Sequence, residues 1–317
     1  MKKKSTDIGL QFIIPDEKQR RQWDSLVSNS PNGNIYSFSW YLDVVADGKW
    51  GIVVNADFSA GLPIAFKKRT GYKNVYQPFY TMFFDVVGRD TKVRAYVDAI
   101  ANDYHHIHIT TQSNSANIPH TQRVRQEMKL EKGFEKNYSE NTKRQIKKAE
   151  KNGLQFGLHE NAAEVVRLFK DNKGRELKEY KAADFTRLKN LIEEALKHKS
   201  GFCAHVTNEK TVLASAIFLT FNNRTIFLKG GVNDEGKEKG AMYYLMHKAV
   251  AYSLEKPNPE IQTQDTRHKT EPVFDFGGSN NKNVAEFYRK FGGNDVHYFE
   301  VELDRRNLVQ KVISRLK

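Results

Sequence analysis

Hydrophobic and polar positions along this chain alternate between two periods. In "DEKQRRQWDSLVSNSP" apolar residues fall at Trp23, Leu26 and Val27, with Asp16 placed to cap a helix and Pro31 to stop it. A second short helix is expected from Trp40 to Ala46. "WGIVVNA", "GLPIAFKKR" and the stretch from Tyr72 to Pro78 read as strands. Val93, Tyr96, Val97 and Ile100 then recur at i, i+3, i+4 and i+7, the spacing of a buried helical face. "HHIHITT" alternates with period two, as a half-buried strand does.

The second half is better punctuated. Ser139 can cap and Asn152-Gly153 can end a helix over "ENTKRQIKKAEK". The strand "LQFGLH" follows, then two helices, the second with a stripe of Leu188, Leu191, Ile192, Ala195 and Leu196. "GFCAHVTN", "TVLASAIFLTF" and "RTIFLKGGV" are separated by turns short enough for an antiparallel meander. A helix ("GAMYYLMHKAVAYSL"), a strand ("PVFDF"), a helix ("NVAEFYRKF") and a strand ("NDVHYFEVEL") complete the order.

A chain of 317 residues suits two compact domains. The expected division lies near Asn137, giving domains 1–137 and 138–317, both mixed α/β, with the last residues returning to the first. Lysine and arginine exceed the acids by 13, which favours anionic partners such as nucleic acid or phosphorylated ligands, or else a solvated lysine-rich surface. The one cysteine, Cys203, excludes an intrachain disulfide and fits a reducing compartment. The longest apolar run is too short to span a bilayer, and "MKKKSTDIGLQF" lacks the apolar core of a signal peptide. A cytoplasmic protein without transmembrane segments is expected.

The element order of the second half is similar to that of GNAT acyltransferases. "YSENTKRQIKKAEKNGL", "FDFGGS" and "NVAEFYRKFGG", with "WYLDVVADGKWG" and "YQPFYT" in the first half, resemble the FemAB-like branch, bacterial enzymes built from two GNAT-like domains. That resemblance implies two mixed, largely antiparallel sheets flanked by helices. It implies acyl transfer, from acyl-CoA or from charged tRNA, to an amine or hydroxyl of a cell-envelope intermediate or small metabolite. No tightly bound cofactor is implied, because the donor is itself a substrate. A non-catalytic RNA-binding or scaffold protein of the same fold is the alternative.

Such chemistry needs a deprotonated amine, a stabilised oxyanion and a grip on an anionic donor. In "FDFGGSNNKNVAEFYRKFGG", Gly277 and Gly278 lie between a strand and a helix, where peptide N–H groups can face an anion. Tyr288 and Arg289 are catalytic candidates. The FemAB-like motif usually reads Phe-Lys there; Phe287-Tyr288 offers a phenol without positive charge. His268, in the loop-rich "QDTRHKT", is the candidate base, and Asp275 the residue that acts in or orients the turn. Lys237, Lys239, Gly240 and Ala241 resemble the donor's pyrophosphate loop in chemistry, though not in spacing. Tyr36, Trp40, Gln77 and Tyr80 are acceptor-side candidates. The cell-wall enzymes carry a lysine four residues after the first-domain tryptophan, and here that position is Val44. Lys143, Arg144, Lys147, Lys148 and Lys151 make one helix strongly basic, fit for an RNA backbone or for solvent. The histidines of "YHHIHI" have no carboxylate or thiol partner at ligand spacing, so no metal is expected.

Overall fold

The computed structural model describes residues 9–69, 72–89, 92–113, 119–174, 180–256, 271–278 and 281–315. The chain forms two compact units, Met1–Arg123 with His297–Lys317, and Val124–Val296. The division falls at Arg123 rather than near Asn137, because the polar segment that follows Arg123 pairs as a strand within the second unit.

The first unit is a mixed sheet. β1 (Gln11–Ile13), β2 (Trp50–Val54), β3 (Ala60–Arg69) and β4 (Tyr72–Tyr76) pair antiparallel in that order. β4 then runs parallel to β6 (His106–Thr111), which pairs antiparallel with β13 (Asn294–Asp304); the short β5 (Val87–Gly88) lies beside β3. α1 (Glu17–Asn29) begins at a capping box between Asp16 and Gln19 and buries Trp23 and Val27. The Trp23 indole donates to the Ser37 carbonyl at 2.6 Å, just before α2 (Ser39–Val45). α3 (Val93–Ile100) buries the four residues its spacing singled out. A further helix, α10 (Leu308–Arg315), follows β13, and hydrophobic spacing did not flag it.

The second unit runs β7 (His120–Lys129), α4 (Glu140–Lys151), β8 (Gln155–His159), α5 (Ala162–Phe169), α6 (Ala182–Lys197), β9 (Gly201–Asn208), β10 (Thr211–Phe221), β11 (Arg224–Val232), α7 (Asp234–Lys239), α8 (Ala241–Glu255), β12 (Val273–Gly278) and α9 (Lys282–Arg289). Its strands stand in the order β7-β12-β11-β10-β9-β8. β9 to β11 form the expected antiparallel meander, β8 adds antiparallel to β9, and β12 is parallel to β11. Alternate residues of β10 face opposite sides of the sheet. Ala214, Ala216 and Phe218 share a core with α4, α8, Phe274, Phe276 and Phe291. On the other face α5 approaches so closely that a side chain on Gly231 would lie 2.2 Å from the Leu168 carbonyl. Both units are thus mixed, largely antiparallel sheets flanked by helices.

Candidate functional site

The feature that organises the second unit is a parting of strands. β11 and β12 pair only at Arg224–Val273, Thr225–Phe274 and Ile226–Asp275. Beyond these three pairs β11 stays with β10 as far as Val232, and β12 stays with β7 as far as Gly278. The facing edges therefore separate, and among the described residues the backbone of β11 beyond Ile226 has no strand partner on that side. Where they part, β11 carries a bulge. Phe227 pairs with Phe218 and Lys229 with Ile217, so Leu228 is one residue extra. Bulges of this kind re-aim backbone groups and cluster at active sites.

Tyr288 touches both parted strands. Its ring stacks on Phe276 of β12 at 5.5 Å and meets Phe227 of β11 edge-on at 6.2 Å. Burial, with a smaller contribution from Asp275, pushes its phenol well above the ordinary value. It is therefore a neutral hydrogen-bond donor and a poor base. Phe287 on α9 and Phe291 just after it join the same aromatic cluster and pack on Tyr243 in the first turn of α8. Arg289 is half-exposed and holds Asp295 through two hydrogen bonds of 2.9 Å, so its guanidinium is already engaged by a carboxylate.

Both oxygens of Asp275 are engaged in the same way. Its Oδ2 accepts from Arg125 at 2.6 Å and from Arg224 at 2.9 Å, and both arginines also pair with Glu127. Its Oδ1 accepts the Gly277 N–H at 2.8 Å. This corrects two expectations. Asp275 orients the turn with both oxygens bonded to protein donors rather than facing a substrate proton, and the Gly277 N–H is already donated. Gly277 has φ of +80°, which explains a glycine there without any ligand. Gly278 remains in the ladder opposite Arg125. His268 lies outside the described residues.

The donor-loop residues form a short helix, a tight link and a long helix. Lys237 and Lys239 are tied to Asp234 and Glu235 at 2.8 Å each, so their charges are compensated within α7. Gly240, with φ of +77°, ends α7 and starts α8. The first α8 bond is Tyr244 N–H to the Gly240 carbonyl, so the N–H groups of Ala241, Met242 and Tyr243 have no intrahelical acceptor. Beside them stands α4. A Cβ on Gly240 would lie 2.7 Å from the Gln145 carbonyl, and Asn141 donates to the Tyr243 hydroxyl at 3.4 Å. Helical spacing puts Arg144 and Lys148 on the flank of Asn141 and Gln145. Lys143, Arg144, Lys147, Lys148 and Lys151 lie together along α4. Lys143 pairs with Glu140, whereas Lys147, Lys148 and Lys151 have no carboxylate partner among the described residues.

Two residues escaped sequence reasoning. Leu228 reads as an ordinary strand residue, since only pairing reveals the bulge. Lys229 sits half-buried on β11 with its ammonium 5.6 Å from the centre of the Phe169 ring, and burial lowers its pKa. A lysine in the middle of an apolar strand was the available signal.

In the first unit Tyr36 and Tyr80 are core residues, 2% and 7% exposed. Gln77 bridges backbone, donating to the Thr81 carbonyl and accepting from Thr110 N–H. Tyr80 has φ of +70° and its carbonyl accepts the Tyr41 hydroxyl. Tyr36 and Tyr80 thus pack in the core, while Gln77 and Trp40 are partly exposed, the Trp40 ring stacked on Phe38.

Comparison with known proteins agrees with this architecture. Residues 136–262 match the GNAT acetyltransferase domain model. FemX superposes with a TM-score of 0.62 at 12% identity, over 96% of this chain and 99% of that one. A conserved protein of unknown function from Bacteroides thetaiotaomicron gives 0.62 at 8% identity, over 93% and 100%. The C-terminal domain of a protein described as a lysylphosphatidylglycerol synthetase, from Agrobacterium fabrum, gives 0.57 at 11%, over 93% and 94%. No curated protein sequence matches significantly. Residues 136–262 thus resemble a GNAT acetyltransferase domain, and the chain shares the fold of FemX over nearly its whole length. No helix among the described residues is long and apolar enough to cross a membrane.

Proposed function

We propose that this protein transfers an acyl group from an acyl-CoA thioester to an amine, with the donor held in the gap between β11 and β12. The observation that carries this reading is the parting of those strands after Ile226, with α8 starting just beyond the open edge of β11. An extended pantetheine-like arm can pair with a free strand edge as another strand would. Its phosphates then meet the three N–H groups that begin α8, with Arg144 and Lys148 alongside. The amine lone pair attacks the thioester carbonyl, forming C–N and breaking C–S. The amine gives up its proton to solvent or a base, and the departing thiolate takes one. Tyr288 donates a hydrogen bond to the charge that develops on oxygen or sulfur, and its raised pKa keeps the proton on the phenol. An envelope intermediate or small metabolite is the acceptor class.

A charged tRNA is the second donor reading, favoured by Lys147, Lys148 and Lys151, whose charges are uncompensated. Thermal stability against acetyl-CoA, longer acyl-CoAs, free CoA and bulk charged tRNA separates the two. A ligand at a hundredfold its Kd stabilises by about 2.7 kcal/mol. A shift with CoA compounds supports the first reading and a shift with tRNA alone the second. A silent panel overturns both. With the donor known, Tyr288→Phe is expected to keep the fold and lower turnover about 100- to 1000-fold; unchanged turnover would make Tyr288 a packing residue only.

A further inference from the structure

Under α5, on the sheet face away from the main core, three potential ligands converge. His159 ends β8, Glu164 lies in the first turn of α5, and His205 lies on β9 opposite Gly157. Glu164 Oε1 is 3.5 Å from His205 Nδ1 and 3.8 Å from His159 Nε2, and all three ligand atoms lie within 4.8 Å of one another. The side chains are 10%, 17% and 25% exposed for His159, Glu164 and His205, so the cluster is enclosed on most sides. Glu164 Oε1 is buried with no hydrogen-bond donor. A carboxylate oxygen placed between two imidazoles without a donor is an unmet demand for positive charge. Gly157 helps to make the space, since a Cβ there would stand 2.8 Å from His205 Nε2.

We propose that His159, Glu164 and His205 form a binding site for a divalent transition metal of the zinc class. Two nitrogens and one carboxylate oxygen are ligands such ions accept, with a fourth position left for water. Tetrahedral bonds of about 2.1 Å put ligand atoms about 3.4 Å apart, so two of the three separations are nearly right and the third closes by up to about 1.4 Å. Two rearrangements are required. His159 Nδ1 accepts the Asn161 N–H at 3.0 Å, which leaves the ring hydrogen on Nε2, directed at Ser215 Oγ 2.9 Å away. Metal binding moves that hydrogen to Nδ1 and opens the contact with Asn161, an exposed cap residue whose N–H then turns to water. It also turns the imidazole or Ser215 Oγ so that the hydroxyl, which keeps its bond to the Ala204 carbonyl, no longer stands in front of Nε2. The ion ties the edge strand β8, the start of α5 and β9 together. The far end of α5 packs on Gly231 of β11, so the clasp also steadies one wall of the strand gap. It is independent of the acyl-transfer reading.

The test is calorimetric titration of chelator-treated protein with Zn²⁺, and with Co²⁺ for its visible spectrum. One ion per chain is expected, with micromolar or tighter Kd, a raised Tm and tetrahedral cobalt bands. Glu164→Gln and His205→Ala should each weaken binding by at least about 100-fold. Glu164→Gln preserves shape, so its metal-free unfolding midpoint should match the parent and separate lost ligation from lost folding. No stoichiometric binding to the parent, or full-strength binding to both variants, overturns the site.

Discussion

Replacing Asp275 with asparagine separates structure from chemistry at the closed end of the strand gap. The site holds two guanidinium groups and two carboxylates. The side chains of Asp275 and Arg125 are 2% and 3% exposed, and Arg224 is 29% exposed. Asp275→Asn preserves shape but leaves two positive charges facing Glu127 alone. Removing one member of a buried ion pair costs about 3–5 kcal/mol. Water reaches Arg224 and relieves part of this, so the lower end, about 3 kcal/mol, is expected. For a unit the size of Val124–Val296 each kcal/mol moves Tm by roughly 2–4 °C, giving a fall of about 6–12 °C. Urea unfolding followed by far-ultraviolet dichroism measures the loss directly. Combining Asp275→Asn with Arg224→Met should recover part of it, because the unpaired cation goes too. A loss under about 1 kcal/mol with acyl transfer abolished would refute this account and return Asp275 to the chemistry.

Gly231→Ala places a methyl group 2.2 Å from the Leu168 carbonyl carbon and oxygen. Loss of about 1–3 kcal/mol is expected from overpacking, read by urea midpoint, and an unchanged midpoint would mean that α5 is loosely seated. Changing Lys147, Lys148 and Lys151 together to glutamine should lower the log–log salt slope of any RNA binding by about 2 to 3, measured by filter binding or anisotropy. An unaltered slope would move the RNA contact off α4. Burial lowers the pKa of His247, whose Nδ1 lies buried without a partner, and burial does the same at His159. The unfolded chain therefore takes up protons first as pH falls through about 6.5, and stability should drop between pH 7.5 and 5.5. His247→Phe should flatten that slope; a rise in stability on acidification would contradict it.

Much of the fold was legible because its helices bury one stripe each. Val93, Tyr96, Val97 and Ile100 are buried as spaced, as are Leu188, Leu191, Ile192 and Ala195. β7 was not legible. "HTQRVRQEMK" contains the buried Arg125 and Gln126 at positions where a core strand usually carries valine or isoleucine, and its charges are balanced by residues 97 and 150 positions away. The candidate site was legible in part. The basic helix and the Gly240 link were visible, but their adjacency depends on Gln145 meeting Gly240 in space. The glycines of the FDFGG turn suggest an anion site, whereas the Asp275 carboxylate occupies the Gly277 donor. His159 and His205 sit on neighbouring strands of a sheet yet 46 positions apart in the chain, so no spacing rule joins them.

β11 and β12 behave like the arms of a clothes-peg. They are joined at one end by Arg224, Asp275, Arg125 and Glu127, and free at the other. The spread of the two strands is fixed at that joint, where three ladder pairs and four charged side chains hold them together. Substitutions at the joint would therefore shift the free edges without changing any residue that lines the gap.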